Sequence, residues 1–181
     1  MKAIILDRDG VINKCMPAHE YITKLIEVEY LEENIEIFSK LKKNIPIFII
    51  TNQQGVGKGL MLKKELNTIN QKILNHLESR NIYIKKIYSC THLASDNCSC
   101  RKPKPEMILK IARDYLIDLK ESIFIGDSET DIQCARNAKC KSIYIGKSKI
   151  NILPTYHAKN PMQLLRVLKM EKFIETSHQN T

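Results

Sequence analysis

Short apolar runs alternate along the chain with stretches in which apolar residues return every three or four positions. Residues 3–6, 45–50, 86–89, 122–125 and 142–145 are short and rich in Ile, Phe and Tyr, which predicts strands. Between them Leu62, Leu66, Ile69, Ile73 and Leu77 recur at helical spacing, as do Ile108, Ile111, Ala112 and Tyr115. Pro105 suits the first turn of that second helix, where its missing N–H leaves nothing unpaired. Strand–helix alternation of this kind implies βαβ crossovers. The expected fold is α/β: a three-layer, Rossmann-like arrangement with a mainly parallel sheet covered on both faces. From about Glu171 the apolar pattern stops, so one domain is expected over 1–170 and a frayed tail over 171–181.

Composition changes this picture little. A chain of 181 residues is long enough for one well-buried core and short for two. No apolar run approaches the roughly 18 residues that span a bilayer. The first residues lead straight into acidic ones without a small-residue cleavage site, so a soluble cytoplasmic monomer is expected. The net charge of +9 raises a nucleic-acid reading. Its lysines are scattered and aromatics are few, so solvated helix faces account for most of it. Of the six cysteines, Cys15, Cys134 and Cys140 stand apart and read as small buried side chains. The other three crowd together with one histidine.

In a parallel sheet the ligand crevice lies outside the carboxyl ends of the strands. Polar residues gather there four times. The first strand leads into Asp7-Arg8-Asp9-Gly10, two carboxylates two residues apart that can face one pocket while Arg8 points elsewhere. One suits a nucleophile and metal ligand; the other suits proton transfer to the leaving oxygen and from water. The second strand leads into Thr51-Asn52-Gln53-Gln54-Gly55-Val56-Gly57-Lys58-Gly59, a hydroxyl, amides and glycines that can approach phosphate oxygens closely. Arg101-Lys102-Pro103-Lys104-Pro105 brings three cations to the start of a helix. The fourth strand leads into Gly126-Asp127-Ser128-Glu129-Thr130-Asp131. Asp127 can complete an oxygen-rich magnesium site with Asp7, the backbone carbonyl of Asp9 and waters. Asp131 fits both a bond to Lys102 and simple helix capping.

This order of motifs resembles the haloacid-dehalogenase-like phosphatase superfamily over roughly residues 1–146. The resemblance implies that Asp7 attacks phosphorus and Asp9 is general acid and base. It also implies that Thr51 and Lys102 stabilise the transferring phosphoryl group and that Asp127 binds magnesium, the catalytic cofactor. Phosphoryl transfer asks for positioning and charge neutralisation above all, which this set supplies.

Cys90, His92, Cys98 and Cys100 give three thiolates and an imidazole within one loop, a set that suits a closed tetrahedral structural zinc. A zinc loop running into Arg101-Lys102-Pro103 resembles one subgroup, the D-glycero-D-manno-heptose-1,7-bisphosphate 7-phosphatases and the histidinol-phosphate phosphatases. These largely lack a cap domain, and the stretches between motifs leave no room for one here. Substrate choice then rests on loops 13–21 and 53–59 and on the zinc loop, with Asn52, Gln53, Lys58 and Arg101 as substrate-binding residues. Lys58 suits the second phosphate of a bisphosphate, which favours the heptose substrate; the short zinc-loop spacing favours histidinol phosphate. His19 reads as solvent-facing. A polynucleotide 3′-phosphatase would use the positive charge but lacks stacking aromatics. A non-catalytic zinc-stabilised binding module leaves the ordered aspartates unexplained.

Overall fold

In a computed structural model, which describes residues 1–17 and 20–175, six strands form one sheet in the order β3-β2-β1-β4-β5-β6. In chain order the elements are β1 (Ile4–Leu6), α1 (Glu32–Phe38), β2 (Ile47–Asn52), α2 (Gln54–Gly57), α3 (Lys63–Ser79), β3 (Ile84–Cys90), α4 (Glu106–Tyr115), β4 (Ile123–Gly126), α5 (Glu129–Asn137), β5 (Lys141–Ile145), β6 (Tyr156–Ala158) and α6 (Pro161–Met170). Two short 3-10 turns, Leu25–Glu27 and Ala94–Asp96, lie in the connections. All pairings are parallel, and β1 lies at the centre, with Ile4 beside both Ile47 and Ile123.

The period-two alternation of the strands divides the core. Ile4, Leu6, Ile47, Ile49, Ile123 and Ile125 face a layer built from α1, α3 and α6, including Ile35, Ile69, Ile73 and Leu164. Ile5, Phe48, Ile50 and Phe124 face the other way, onto Ile108 and Ile111 of α4 and Cys134 and Ala135 of α5. Cys134 and Cys140 are buried as expected, whereas Cys15 is exposed. The stripe along α3 buries Leu66, Ile69, Ile73 and Leu77. Leu62 is its exposed cap residue, held by the Glu65 carboxylate, which accepts the Leu62 N–H at 2.6 Å.

Two elements lay beyond the apolar pattern. Strand β6 is three residues long with His157 at its centre, too short and polar to give a run. The expected fraying at Glu171 gives way to docking. Phe173 and Ile174 are buried, Lys42 N–H donates to the Phe173 carbonyl at 2.9 Å, and Lys2 lies 4.1 Å over the Phe173 ring. Two apolar residues are too few to show a period, yet they close the gap between α6 and the chain at Leu41. Residues 176–181, the rest of the expected tail, lie outside the described residues.

Candidate active site

The C-terminal end of the sheet gathers the polar motifs at its centre. Asp7 leaves β1 with its N–H held by the Ile125 carbonyl at 2.9 Å, which sets it beside the end of β4. Gly10 then turns with φ +84°, and a Cβ there would lie 1.9 Å from Asp127 Oδ2. Only glycine permits both the turn and that approach.

Lys102 lies at the heart of the site. Its ammonium is buried and sits 2.8 Å from Asp7 Oδ1 and 2.6 Å from Asp131 Oδ1. Burial alone would lower its pKa, but the Asp131 and Asp7 carboxylates hold it above the ordinary lysine value. Asp131 performs both roles open to it, because its second oxygen accepts from the Ser128 hydroxyl at 2.6 Å and caps α5.

Asp7, Asp127 and Asp131 bring one carboxylate oxygen each within 4.8 Å of one another. One ammonium faces three carboxylates, those of Asp7 and Asp131 buried and that of Asp127 half-buried, and the imbalance shows in the titration of Asp7 and Asp127. Burial and then the Asp131 charge raise Asp7 well above the carboxylate range despite Lys102. Burial and Asp131 likewise push Asp127 up to about 6. A divalent cation is the group that would relieve this excess of negative charge, and hard carboxylate oxygens are what magnesium takes.

The Asp9 carboxylate is turned away from that cluster. It accepts Asn13 Nδ2 at 2.8 Å, Gln53 Nε2 at 2.8 Å and the guanidinium of Arg8 at 3.1 to 3.2 Å. The expectation that Arg8 points elsewhere is corrected: Arg8 is fully buried and grips Asp9. It follows a strand at the centre of the sheet, where no solvent is in reach. The buried Gln53 amide also donates to Thr51 Oγ1 at 2.8 Å, so Thr51, Gln53 and Asp9 form one line of contacts.

Beside Asp9 opens a cavity of about 400 Å3, lined among others by Tyr21, Asn52, Gln53, Gln54, Lys58 and Arg101. The Arg101 guanidinium donates to Gln54 Oε1 at 3.0 Å, and Lys58 lies 5.0 Å over the Tyr21 ring. Asn52 exchanges two 3.1 Å hydrogen bonds with the backbone of Lys102, which ties the second motif to the third. Lys104 turns out of the site and donates to the Asn97 carbonyl at 2.7 Å, so two of the three cations serve the cavity region. His19 lies outside the described residues. Cys15 also lines the cavity and stands 3.4 Å from Asp127 Oδ2.

Cys90, His92, Cys98 and Cys100 converge as the spacing predicts. Cys90 Sγ and Cys100 Sγ each lie 3.6 Å from Cys98 Sγ, and His92 Nδ1 lies 3.2 Å from Cys100 and 3.7 Å from Cys90. Ligands at tetrahedral corners around zinc are separated by about 3.3–3.8 Å, so the donor set fits that ion. The loop abuts the cavity: Gln53 N–H donates to the Cys90 carbonyl at 2.7 Å.

Arg8, Asn13 and Gln54 join the site beyond the sequence-derived set. Arg8 had a readable signal, a charge two residues beyond a buried strand; Asn13 reaches its partner only through the folding of a loop, and Gln54 from the start of α2.

A strand-order 3-2-1-4-5-6 sheet with paired-aspartate, hydroxyl, lysine and acidic motifs following successive strands defines a hydrolase class. The chain belongs to the haloacid dehalogenase-like hydrolase family, whose family model matches residues 3–145. It is 38% identical over 138 residues to a D-glycero-alpha-D-manno-heptose-1,7-bisphosphate 7-phosphatase of Campylobacter jejuni, covering 76% of this chain and 77% of that protein. It is 34% identical to a D-glycero-beta-D-manno-heptose-1,7-bisphosphate 7-phosphatase of Helicobacter pylori, covering 78% and 81%. The crystal structure of the D,D-heptose 1,7-bisphosphate phosphatase of B. bronchiseptica, complexed with magnesium and phosphate, superposes with a TM-score of 0.86. That match has 30% identity and covers 94% of this chain and 99% of the other. No helix among the described residues is long and apolar enough to cross a membrane.

Proposed function

We propose that the protein is a magnesium-dependent phosphatase that removes the 7-phosphate of D-glycero-D-manno-heptose 1,7-bisphosphate in the cytoplasm. The observation that carries this reading is the wall of the cavity beside Asp9. Lys58 and Arg101 line it, two cations in addition to the Lys102 that serves the reacting centre. A bisphosphate has a second dianion to meet them, whereas histidinol phosphate has none. The names of the relatives at 34–38% identity support the same choice.

The residues assign the steps. Lys102 and the Arg8 N–H both donate to Asp7 Oδ1, which leaves Oδ2 to attack phosphorus. As the ester P–O bond breaks, Asp9 gives its proton to the departing sugar oxygen. Asp9 then takes a proton from water, the water oxygen bonds to phosphorus, and the P–O bond to Asp7 breaks to release phosphate. Thr51 and Lys102 hold equatorial oxygens of the transferring group. Magnesium, held by Asp7, Asp127 and the Asp9 carbonyl, would neutralise charge on the phosphoryl oxygens. Cys90, His92, Cys98 and Cys100 would hold zinc with four protein ligands, and the ion would then have a structural part only.

Phosphate release from D-glycero-D-manno-heptose 1,7-bisphosphate and from histidinol phosphate, measured side by side with magnesium, tests the reading. The expected outcome is a kcat/KM at least about tenfold higher for the bisphosphate, the size of one well-placed charged contact. Preference for histidinol phosphate would overturn the substrate and leave the chemistry standing.

A further inference from the structure

The Arg8 guanidinium is completely buried, and the reaction scheme above gives it no part. A buried guanidinium requires a charge partner and bonds for its remaining N–H groups, and both needs are met by few atoms. Its Nε reaches Asp9 Oδ1 at 3.2 Å, and its Nη2 reaches Oδ1 and Oδ2 at 3.1 Å each. On the far side its Nη1 donates to Asn70 Oδ1 at 3.0 Å. Asn70 in turn points its Nδ2 at Ser89 Oγ, 3.4 Å away. The line Ser89–Asn70–Arg8–Asp9 runs from the edge strand β3 and helix α3 to the proton-transfer group at the sheet's centre.

We propose that Arg8 is a positioning residue that aims the Asp9 carboxyl at the leaving-group oxygen, with Asn70 fixing the guanidinium from behind. The inference rests on the phosphatase reading above. A guanidinium fork grips a carboxylate along its edge and fixes the plane of the group, which a single ammonium cannot do. Asn13 adds a third contact to Oδ1, while Oδ2 carries only one Arg8 contact and Gln53. Oδ2 is therefore the oxygen freer to meet substrate, and the Asp9 side chain keeps 27% of its surface open for it. The aim matters only where a proton must be delivered. An alkoxide leaving group needs that proton as its P–O bond breaks; a nitrophenolate does not.

The test compares kcat/KM for glycerol 2-phosphate and for p-nitrophenyl phosphate, both with magnesium. This constant reports the steps through cleavage of the ester bond. Arg8→Lys keeps the charge and removes the fork. It should cost at least about tenfold on glycerol 2-phosphate, part of the roughly hundredfold or more that complete loss of positioned proton transfer costs, and under about threefold on p-nitrophenyl phosphate. Asn70→Leu leaves every residue that touches substrate in place. It should lower the first constant about threefold and leave the second unchanged. Should Arg8→Lys fail to fold, Asn70→Leu decides alone. Equal losses on both substrates, or no loss on either, would overturn the positioning role. Asp9→Asn serves as the reference. If it shows no larger loss on glycerol 2-phosphate than on p-nitrophenyl phosphate, the acid role of Asp9 fails, which is a failure of the underlying reading and not of Arg8.

Discussion

Two clusters of side chains that could hold a metal ion are built on opposite principles. The Cys90–Cys100 cluster is drawn from one loop, uses soft donors and fills all four positions from a single stretch of chain. The aspartate cluster uses hard donors and collects Asp7 and Asp127 from the ends of two strands, far apart in sequence and adjacent in the sheet, and Asp131 from the first turn of α5. The first needs little of the fold to exist and gives stability in return. The second exists only because the fold is complete. It gathers more negative charge than its one ammonium balances, which is what a divalent cation would relieve. Stability and turnover should therefore respond in opposite ways to damage at the two places.

The largest expected effect is on turnover at the aspartate cluster. On the proposed mechanism Asp7→Asn removes the attacking oxygen, and phosphate release should fall by at least about a thousandfold, as for loss of a nucleophile elsewhere. The melting temperature should stay within about 2 °C, since Lys102 keeps Asp131 and one disfavoured buried charge disappears. Steady-state assay and calorimetry of the one variant check both halves. A collapse of stability would erase the contrast with the zinc loop. Asp9→Asn should follow at roughly a hundredfold loss of kcat, the usual worth of positioned proton transfer. A near-normal rate would remove Asp9 from the mechanism.

At the zinc loop the order reverses. Cys98→Ser should lower the melting temperature by about 5–10 °C, equivalent to about 2–3 kcal/mol in a chain of this length. It should also abolish stoichiometric zinc in elemental analysis. Some turnover should persist, because the catalytic aspartates come from other strands. An unchanged melting temperature with no zinc bound to the wild-type protein would show the four ligands to be an ordinary loop.

The same contrast explains which parts could be read from sequence. Cys90, His92, Cys98 and Cys100 declare themselves by spacing, because their neighbours in space are their neighbours in sequence. Asp7, Thr51, Lys102 and Asp127 are legible one step less directly, through the rule that reactive residues follow strands whose apolar runs are plain. Arg8 was misread because its direction depends on what lies beneath the strand end. In this fold that is Asn70 on α3, a partner 62 positions away. Asp131 stayed divided between two roles since one carboxylate has two oxygens, and each role takes one. Strand β6 and the docked Phe173 escaped for want of length, as two or three residues cannot display a period.

The smallest effect is also the one that separates the clusters by pH. Asp127 is raised to about 6 by burial and by Asp131, so the native state holds a proton on it that the unfolded chain, with an ordinary aspartate, has already lost. Stability from this source is fully present below the unfolded value near 4 and is lost as the pH rises through about 6. Magnesium must displace that proton below pH 6 and finds the carboxylate free above it. Adding 10 mM magnesium should therefore raise the melting temperature by about 2–4 °C at pH 7.5 and by less than about 1 °C at pH 5. In Asp127→Asn the gain at pH 7.5 should vanish. The zinc contribution should persist at pH 7.5 whether or not magnesium is present, because its donors are thiolates and an imidazole outside the carboxylate cluster. A magnesium shift of equal size at both pH values would mean that the ion binds without Asp127, and the carboxylate cluster would lose its claim to the metal.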